Sequence, residues 1–367
     1  MDSPMIAHPL DRFRQRIPLS LAGDVALWLI AALHLALLVA TAFVLFSVSP
    51  ARAGEPAACT GEDLLPVMQQ TDPAAYDRIA AEAAKTPNGK GIFWKIEKAG
   101  VSPSYLLGTM HVTDPRVLAM PKGASEAVAE ASTIVIESDE ILDEKKAAAA
   151  MLMHPELTMF TDGSTIRDHL SADDAEKLEA GLKARGLALA AVARMKPWIL
   201  SSFVALPACE LARKASGASF LDKHVAEDAI KAGKKVVGLE TMAEQLQAMA
   251  DLPVEFHLQA LIETLELGDK MDDIIETMTA LYLAGDIGMT MPMLEAVAPS
   301  KPGQDESAYA AFEKRIVTDR NKIMAERAAP LLANGKVFIA VGALHLPGEQ
   351  GLVELLRQQG FTVSVIE

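Results

Sequence analysis

Two short apolar runs, far apart in the chain, end in the same kind of turn. Ser104–Val112 reads SYLLGTMHV and Lys336–Leu346 reads KVFIAVGALHL. Each run is β-type and closes on a glycine, two further residues and a histidine. His111 and His345 are therefore expected just past the ends of two strands. Continuous apolar strands of this sort are buried on both faces. If they share a sheet, the two G-x-x-H turns can meet at one edge of it.

The rest of the chain supplies the partners. Asp63–Lys85 reads as one or two helices, with a break at Asp72-Pro73. Gly91–Lys98 alternates apolar and polar residues like a half-buried strand. A turn at Ser102-Pro103 would join it to Tyr105–Leu107 as a hairpin. Lys122–Ala131 suits a short amphipathic helix, and Ser132–Glu137 is a β-branched run that ends on a carboxylate. Helical patterns then dominate as far as Ala232. Lys234–Leu239 forms another strand, ending at Glu240. Thr241–Leu267, Met271–Gly285 and Ser307–Asn334 are helical, the last with a break near Pro330. Val337–Val341, a helix at Gly348–Gln359 and a strand at Thr362–Ile366 follow. This order predicts an α/β (α+β) fold. A central mixed, mainly parallel sheet is flanked by helices, with helical inserts at about residues 139–232 and 241–334 packed together as a lid over one edge.

Val25–Val48 is almost wholly apolar and, as a helix, would span roughly 36 Å. Arg12, Arg14 and Arg16 precede it, so the chain beyond is expected outside the cytoplasm. Ala51-Arg52-Ala53 offers a signal-peptide cleavage site. The alternatives are a cleaved signal peptide over residues 1–53, with a periplasmic domain from 54 to 367, and an uncut inner-membrane anchor with that domain on the periplasmic side. In such a compartment Cys59 and Cys209 suggest one disulfide, with two buried free thiols as the alternative. The net charge of −15, with no basic stripe, argues against nucleic acid and against any membrane contact beyond the N-terminal helix.

His111, Glu137, Glu240 and His345 share one context, the carboxyl end of an apolar strand, where open α/β sheets place their ligand crevice. If the strands are neighbours, two imidazoles and two carboxylates converge as a site for Zn, Mn, Fe or Co. Gly108 and Gly342 would let the backbone turn sharply or approach a ligand closely. Glu137 and Glu240 could instead cap following helices, although Thr241 could do that beside Glu240. Asp222 is a helix cap or a carboxylate that orients a histidine. Arg320, next to Asn321, is a clamp for a charged intermediate or a salt-bridged surface residue. His154, His169, His224 and His257 have no matching partner. No G-x-S-x-G elbow, H-E-x-x-H helix, Walker loop or G-x-G-x-x-G is present, so serine or cysteine hydrolases and nucleotide cofactors are disfavoured.

The blocks FWKIEKAG, SYLLGTMH, TIVIESD, KPW at Lys196–Trp198, Leu221-Asp222, VVGLET, EQL at Glu244–Leu246, DRN at Asp319–Asn321 and VFIAVGALHLPGEQGLVELLRQQGFTV stand in the order seen in the TraB/GumN (TraB–PrgY–GumN) family. The chain resembles that family over roughly residues 58–367. The resemblance implies a fold like that of the ChaN and erythromycin-esterase group. It also implies, through the TIKI members, a metal-dependent peptidase whose metal is held by His111, His345 and Glu137. Asp222, Glu240 and Arg320 fall on other family blocks. On this reading the chain is an exported hydrolase of peptides or proteins, with Glu240 as further ligand or general base and Arg320 stabilising the oxyanion. The alternative is a non-catalytic envelope protein that binds a peptide, haem or metal.

Overall fold

The computed structural model describes residues 59–297 and 306–366. The apolar run Val25–Val48 and the division at residue 53 lie outside the described residues. Among the described residues no helix is long and apolar enough to cross a membrane.

The strands are β1 Phe93–Lys98, β2 Val101–Thr109, β3 Thr133–Ile136, β4 Lys235–Gly238, β5 Val337–Gly342 and β6 Thr362–Val365. They form one six-stranded sheet in the order β4-β3-β5-β2-β1-β6. The neighbours β4, β3, β5 and β2 run parallel, whereas β1 is antiparallel to both β2 and β6. The sheet is thus mixed and mainly parallel, as expected.

Alternation along the strands gives each face its own core. Val337, Ile339 and Val341 of β5 pack with Leu106, Val135 and Val363 on one face, under Met324, Ala325 and Ala328 of one helix and Leu352, Val353 and Leu356 of another. Phe338 and Ala340 point to the opposite face, with Leu107, Ile134 and Ile136, under Ala124, Ala127, Val225 and Ala229. Helices therefore cover both faces. The inserts also pack on each other: Leu178, Leu182 and Leu200 from the first meet Leu258, Leu261 and Leu265 from the second. A disulfide joins Cys59 to Cys209, with their Cα atoms 5.4 Å apart.

Three local expectations change. The hairpin turn lies at Ala99-Gly100, where Gly100 has a φ of 78°, and Ser102-Pro103 belongs to β2. Proline is tolerated there because β5 pairs with β2 only from Tyr105 onward, so no ladder donor is missing. Thr241–Leu267 is two helices, Met242–Ala250 and Val254–Leu267, divided at Pro253. Pro330 does not break its helix; it sits within Asp319–Leu332. The irregularity falls earlier, in a π-helical turn over Lys314–Thr318.

Candidate functional site

The carboxyl ends of β2, β3, β4 and β5 are four consecutive places in the sheet. His111 follows β2 by two residues, Glu137 directly follows β3, Glu240 follows β4 by two, and His345 ends the 3₁₀ turn after β5. His111 Nε2 and His345 Nε2 each lie 3.7 Å from Glu137 Oε1.

Both rings are oriented from behind. His345 Nδ1 is 2.7 Å from Asn321 Oδ1, and Asn321 Nδ2 donates to the Gln350 carbonyl at 2.8 Å. That assigns Oδ1 as the acceptor and makes His345 the Nδ1–H tautomer, with the Nε2 lone pair toward Glu137. His111 Nδ1 faces Asp222 Oδ2 at 3.4 Å. Asp222 Oδ1 accepts from Thr109 Oγ1 at 2.8 Å, while Oδ2 is buried without a hydrogen-bond donor. Asp222 lies in the first turn of Leu221–Lys231 and caps nothing; it faces the histidine. The edge of His111 meets the Phe220 ring, with centroids 5.1 Å apart.

Three groups hold Glu137. Gly342 N–H donates to Oε1 at 2.8 Å, and Gln245 Nε2 and Arg320 Nη2 donate to Oε2 at 3.1 and 2.8 Å. Arg320 also grips Glu240: Nε lies 3.1 Å from both oxygens and Nη2 2.7 Å from Oε2. Its Nη1 donates to the Ile316 carbonyl at 3.2 Å, inside the π-helical turn. Such turns often lie at functional sites, and here the turn supports the guanidinium. Thr241, with Glu244, caps the helix after Glu240, so Glu240 is not a helix cap.

The glycines act through their size. Gly108 lies within β2, and a Cβ there would come 3.0 Å from Ala343 Cα. Gly342 has an ordinary φ of −52°, so neither glycine turns the chain through a left-handed conformation. A Cβ on Gly342 would sit 3.2 Å from Glu137 Oε1, 3.5 Å from His345 Cδ2 and 3.7 Å from His111 Nε2. The missing side chain thus leaves a cradle between the three donors.

Among the described residues, no group of three or more His, Cys, Asp or Glu side chains is placed to hold a metal ion as it stands. The donor set still suits a divalent cation. Ligands of a tetrahedral metal stand roughly 3.4 Å apart at bonds near 2.1 Å, so the 3.7 Å separations need only a slight contraction. Charge agrees. Glu137, Glu240 and Asp222 are buried carboxylates, opposed among them by one guanidinium. With neutral imidazoles two negative charges remain, the amount a divalent cation balances.

Without a metal the two histidines diverge. Burial, reinforced by Arg320 and His111 against the pull of Glu137, lowers His345 to about 4. Desolvation opposes charge on His111, but Asp222 and Glu137 outweigh it and raise the ring to about 10. Burial works against ionised Glu137, yet His111, His345 and Arg320 hold it well below the carboxylate range. Unfolded histidine titrates near 6.5. Between about 4 and 6.5 the unfolded chain binds a proton at His345 that the folded chain does not, so that contribution is lost as pH falls. His111 behaves oppositely: its contribution is complete below 6.5 and lost as pH rises toward about 10. Thermal melts in chelator should therefore show Tm declining on the alkaline side of neutrality, and His111→Gln should flatten that limb. A wild-type Tm that keeps rising through the alkaline range contradicts the His111 environment.

Thr109, Gln245 and Phe220 support the site without having been singled out from the sequence. Gln245 lies in the EQL block, but nothing in its helix pattern points at a carboxylate on a distant strand. The unmatched histidines stay apart: His257 Nε2 bonds the Met249 carbonyl at 2.8 Å, and His169 stacks on Phe160.

Fold and site together define an α/β protein with a polar centre of histidine, carboxylate and arginine at the carboxyl ends of its parallel strands. Residues 92–365 match the TraB/PrgY/gumN family, and the chain belongs to it. Metalloprotease TIKI2 of Xenopus tropicalis is 25% identical over 313 residues, covering 71% of this chain and 57% of that protein. Metalloprotease TIKI1 of Homo sapiens is 23% identical over 318 residues, 74% of this chain and 61% of that protein. The chain thus spans about three-fifths of the length of these curated relatives. No solved structure matches it significantly.

Proposed function

We propose that this chain is a metal-dependent hydrolase of peptide bonds, with His111, His345 and Glu137 as the metal ligands. The observation that carries this reading is the convergence of two imidazole Nε2 atoms on one carboxylate oxygen, each ring braced through its Nδ1. The relatives' name, metalloprotease, supports it. A divalent cation held there, whether Zn, Mn, Co or Fe, supplies Lewis acidity toward a carbonyl and lowers the pKa of water.

The chain's own residues prepare that centre. Asn321 fixes the tautomer of His345 and Asp222 orients His111, as outer partners of metal-binding histidines do. Gly342 leaves the space between the donors and steadies Glu137 through its N–H. Arg320, together with His111 and His345, keeps Glu137 ionised. Glu240 takes a different role from ligand or general base: both of its oxygens engage Arg320, so it is the counterion that positions the guanidinium. With Nε and Nη2 spent on carboxylates, Arg320 acts as electrostatic support and not as the oxyanion donor. We further infer an exported domain, periplasmic or tethered to the inner membrane; the disulfide supports this, since such bonds persist in oxidising compartments.

The test is a peptide library offered to purified protein that has been stripped by chelator and reloaded separately with each metal. Cleavage should require metal, and His111→Ala and His345→Ala should lose both bound metal and turnover while staying folded. Metal retention without cleavage of any peptide would make the chain a binding protein. A wild type that retains no metal overturns the ligand set.

A further inference from the structure

The centre just described needs a group that holds the substrate, and Arg320 is not free to be it. Four of its five N–H donors are committed to Glu137, Glu240 and the Ile316 carbonyl, and the side chain is only 13% exposed. Arg116 and Arg213 are committed too. Arg116 forks onto Glu276 at 2.7 and 2.6 Å and also holds Asp114. Arg213 pairs with Glu210 at 2.7 Å.

Lys214 differs. It sits on the helix Ala208–Ala215, which the disulfide ties down at Cys209. Its Nζ donates to the backbone carbonyl of His111 at 3.2 Å and lies 5.5 Å from the centroid of Phe220. That ring packs edge to face with His111. Among the described residues it forms no ion pair with a carboxylate, although the chain holds 49 acidic against 34 basic residues. An ammonium has three N–H donors, so one carbonyl leaves donors to spare. Lys214 is therefore a half-buried cation whose Nζ is held at the backbone of one of the proposed metal ligands. An anion brought to it is bound more strongly than at an open surface, because less water competes.

We infer that Lys214 is the substrate-recognition cation of this site and takes a carboxylate on the peptide close to the scissile bond. The inference rests on the peptide reading above and names its substrate class. Because Nζ hydrogen-bonds the backbone carbonyl of His111 itself, the carboxylate is expected a few residues from that bond, at roughly 3.5 Å per residue. Two sources have this chemistry, a free C-terminus and an acidic side chain.

Fluorescence anisotropy on metal-loaded, full-length protein tests it with three N-acetylated, labelled peptides: one with a free C-terminal carboxylate, its C-terminal amide, and the amide with an aspartate near its end. Binding decides the recognition claim, and turnover of the same peptides separately tests the hydrolase reading. Wild type should bind one of the carboxylate peptides at least about tenfold tighter than the plain amide, and whichever peptide it is identifies the source. Lys214→Met should collapse that preference, and Lys214→Arg, which keeps the charge, should retain much of it. Lys214→Met is to be read alongside its thermal melt, with Lys214→Gln as a second neutral variant. An equal affinity of wild type for all three peptides overturns the inference, as does a preference that survives in a folded Lys214→Met or Lys214→Gln protein.

Discussion

Arg320→Ala is expected to destabilise the folded domain by about 3–5 kcal/mol, the usual cost of removing one partner from a buried ion pair. The guanidinium side chain is 13% exposed, and the Glu137 and Glu240 side chains are 11% and 2% exposed. Without it Glu240 stays in a poorly solvated place without its cation, and Glu137 keeps only the His111 ring as countercharge. Arg320→Lys should recover little, because a point charge cannot span two carboxylates as the fork does. Adding Glu240→Gln to Arg320→Ala should restore part of the loss, since the penalty comes from the stranded charge more than from the missing bonds. Urea unfolding in chelator reads all three variants. A loss below about 1 kcal/mol for Arg320→Ala would mean that solvent already screens this cluster.

Glu137→Gln should weight the losses differently, a large loss of metal affinity with a smaller loss of stability, about 1–3 kcal/mol. Arg320 keeps Glu240 as its partner, but the amide NH2 must face either the Gly342 N–H or Gln245 and Arg320, all of them donors. What disappears is the anionic oxygen on which both Nε2 atoms converge. Changes to outer partners such as Asn321 cost about 10–100-fold in affinity, and the ligand itself should cost more. Competition against a chromophoric chelator measures this, with thermal melts in parallel. Unchanged affinity in Glu137→Gln would remove Glu137 from the ligand set.

These expectations draw on features that differ in how visible they are in the sequence. The strand ends carrying His111, Glu137, Glu240 and His345 could be read directly, because buried parallel strands leave continuous apolar runs that stop abruptly at a polar residue. The disulfide was readable as an even pair of cysteines. The roles of Glu240 and Arg320 were not. Which carboxylate a buried arginine chooses depends on the π-helical turn beneath it, and Lys314–Thr318 carries no pattern that separates it from an ordinary helix. The glycines misled for a related reason. A G-x-x-H spacing suggests a turn, whereas Gly342 is required for the space beside it, and space is a property of neighbours. Lys214 shows the same limit: a lysine on an insert helix reads as solvated surface until its helix is docked beside His111.

The position of β5 has one further consequence. It lies in the middle of the sheet between β3 and β2, yet it follows β1 to β4 in the chain. Until residues 337–342 emerge, the β1–β2 hairpin and the β3–β4 pair have no strand to join them. The nascent chain therefore holds two exposed sheet edges and only half of its histidines' meeting place. Long-range pairing of this kind is slow and leaves edges open to wrong partners. It also acts as a timing device: the centre formed by His111, Glu137, Glu240 and His345 comes into existence only once β5 has joined the two pairs.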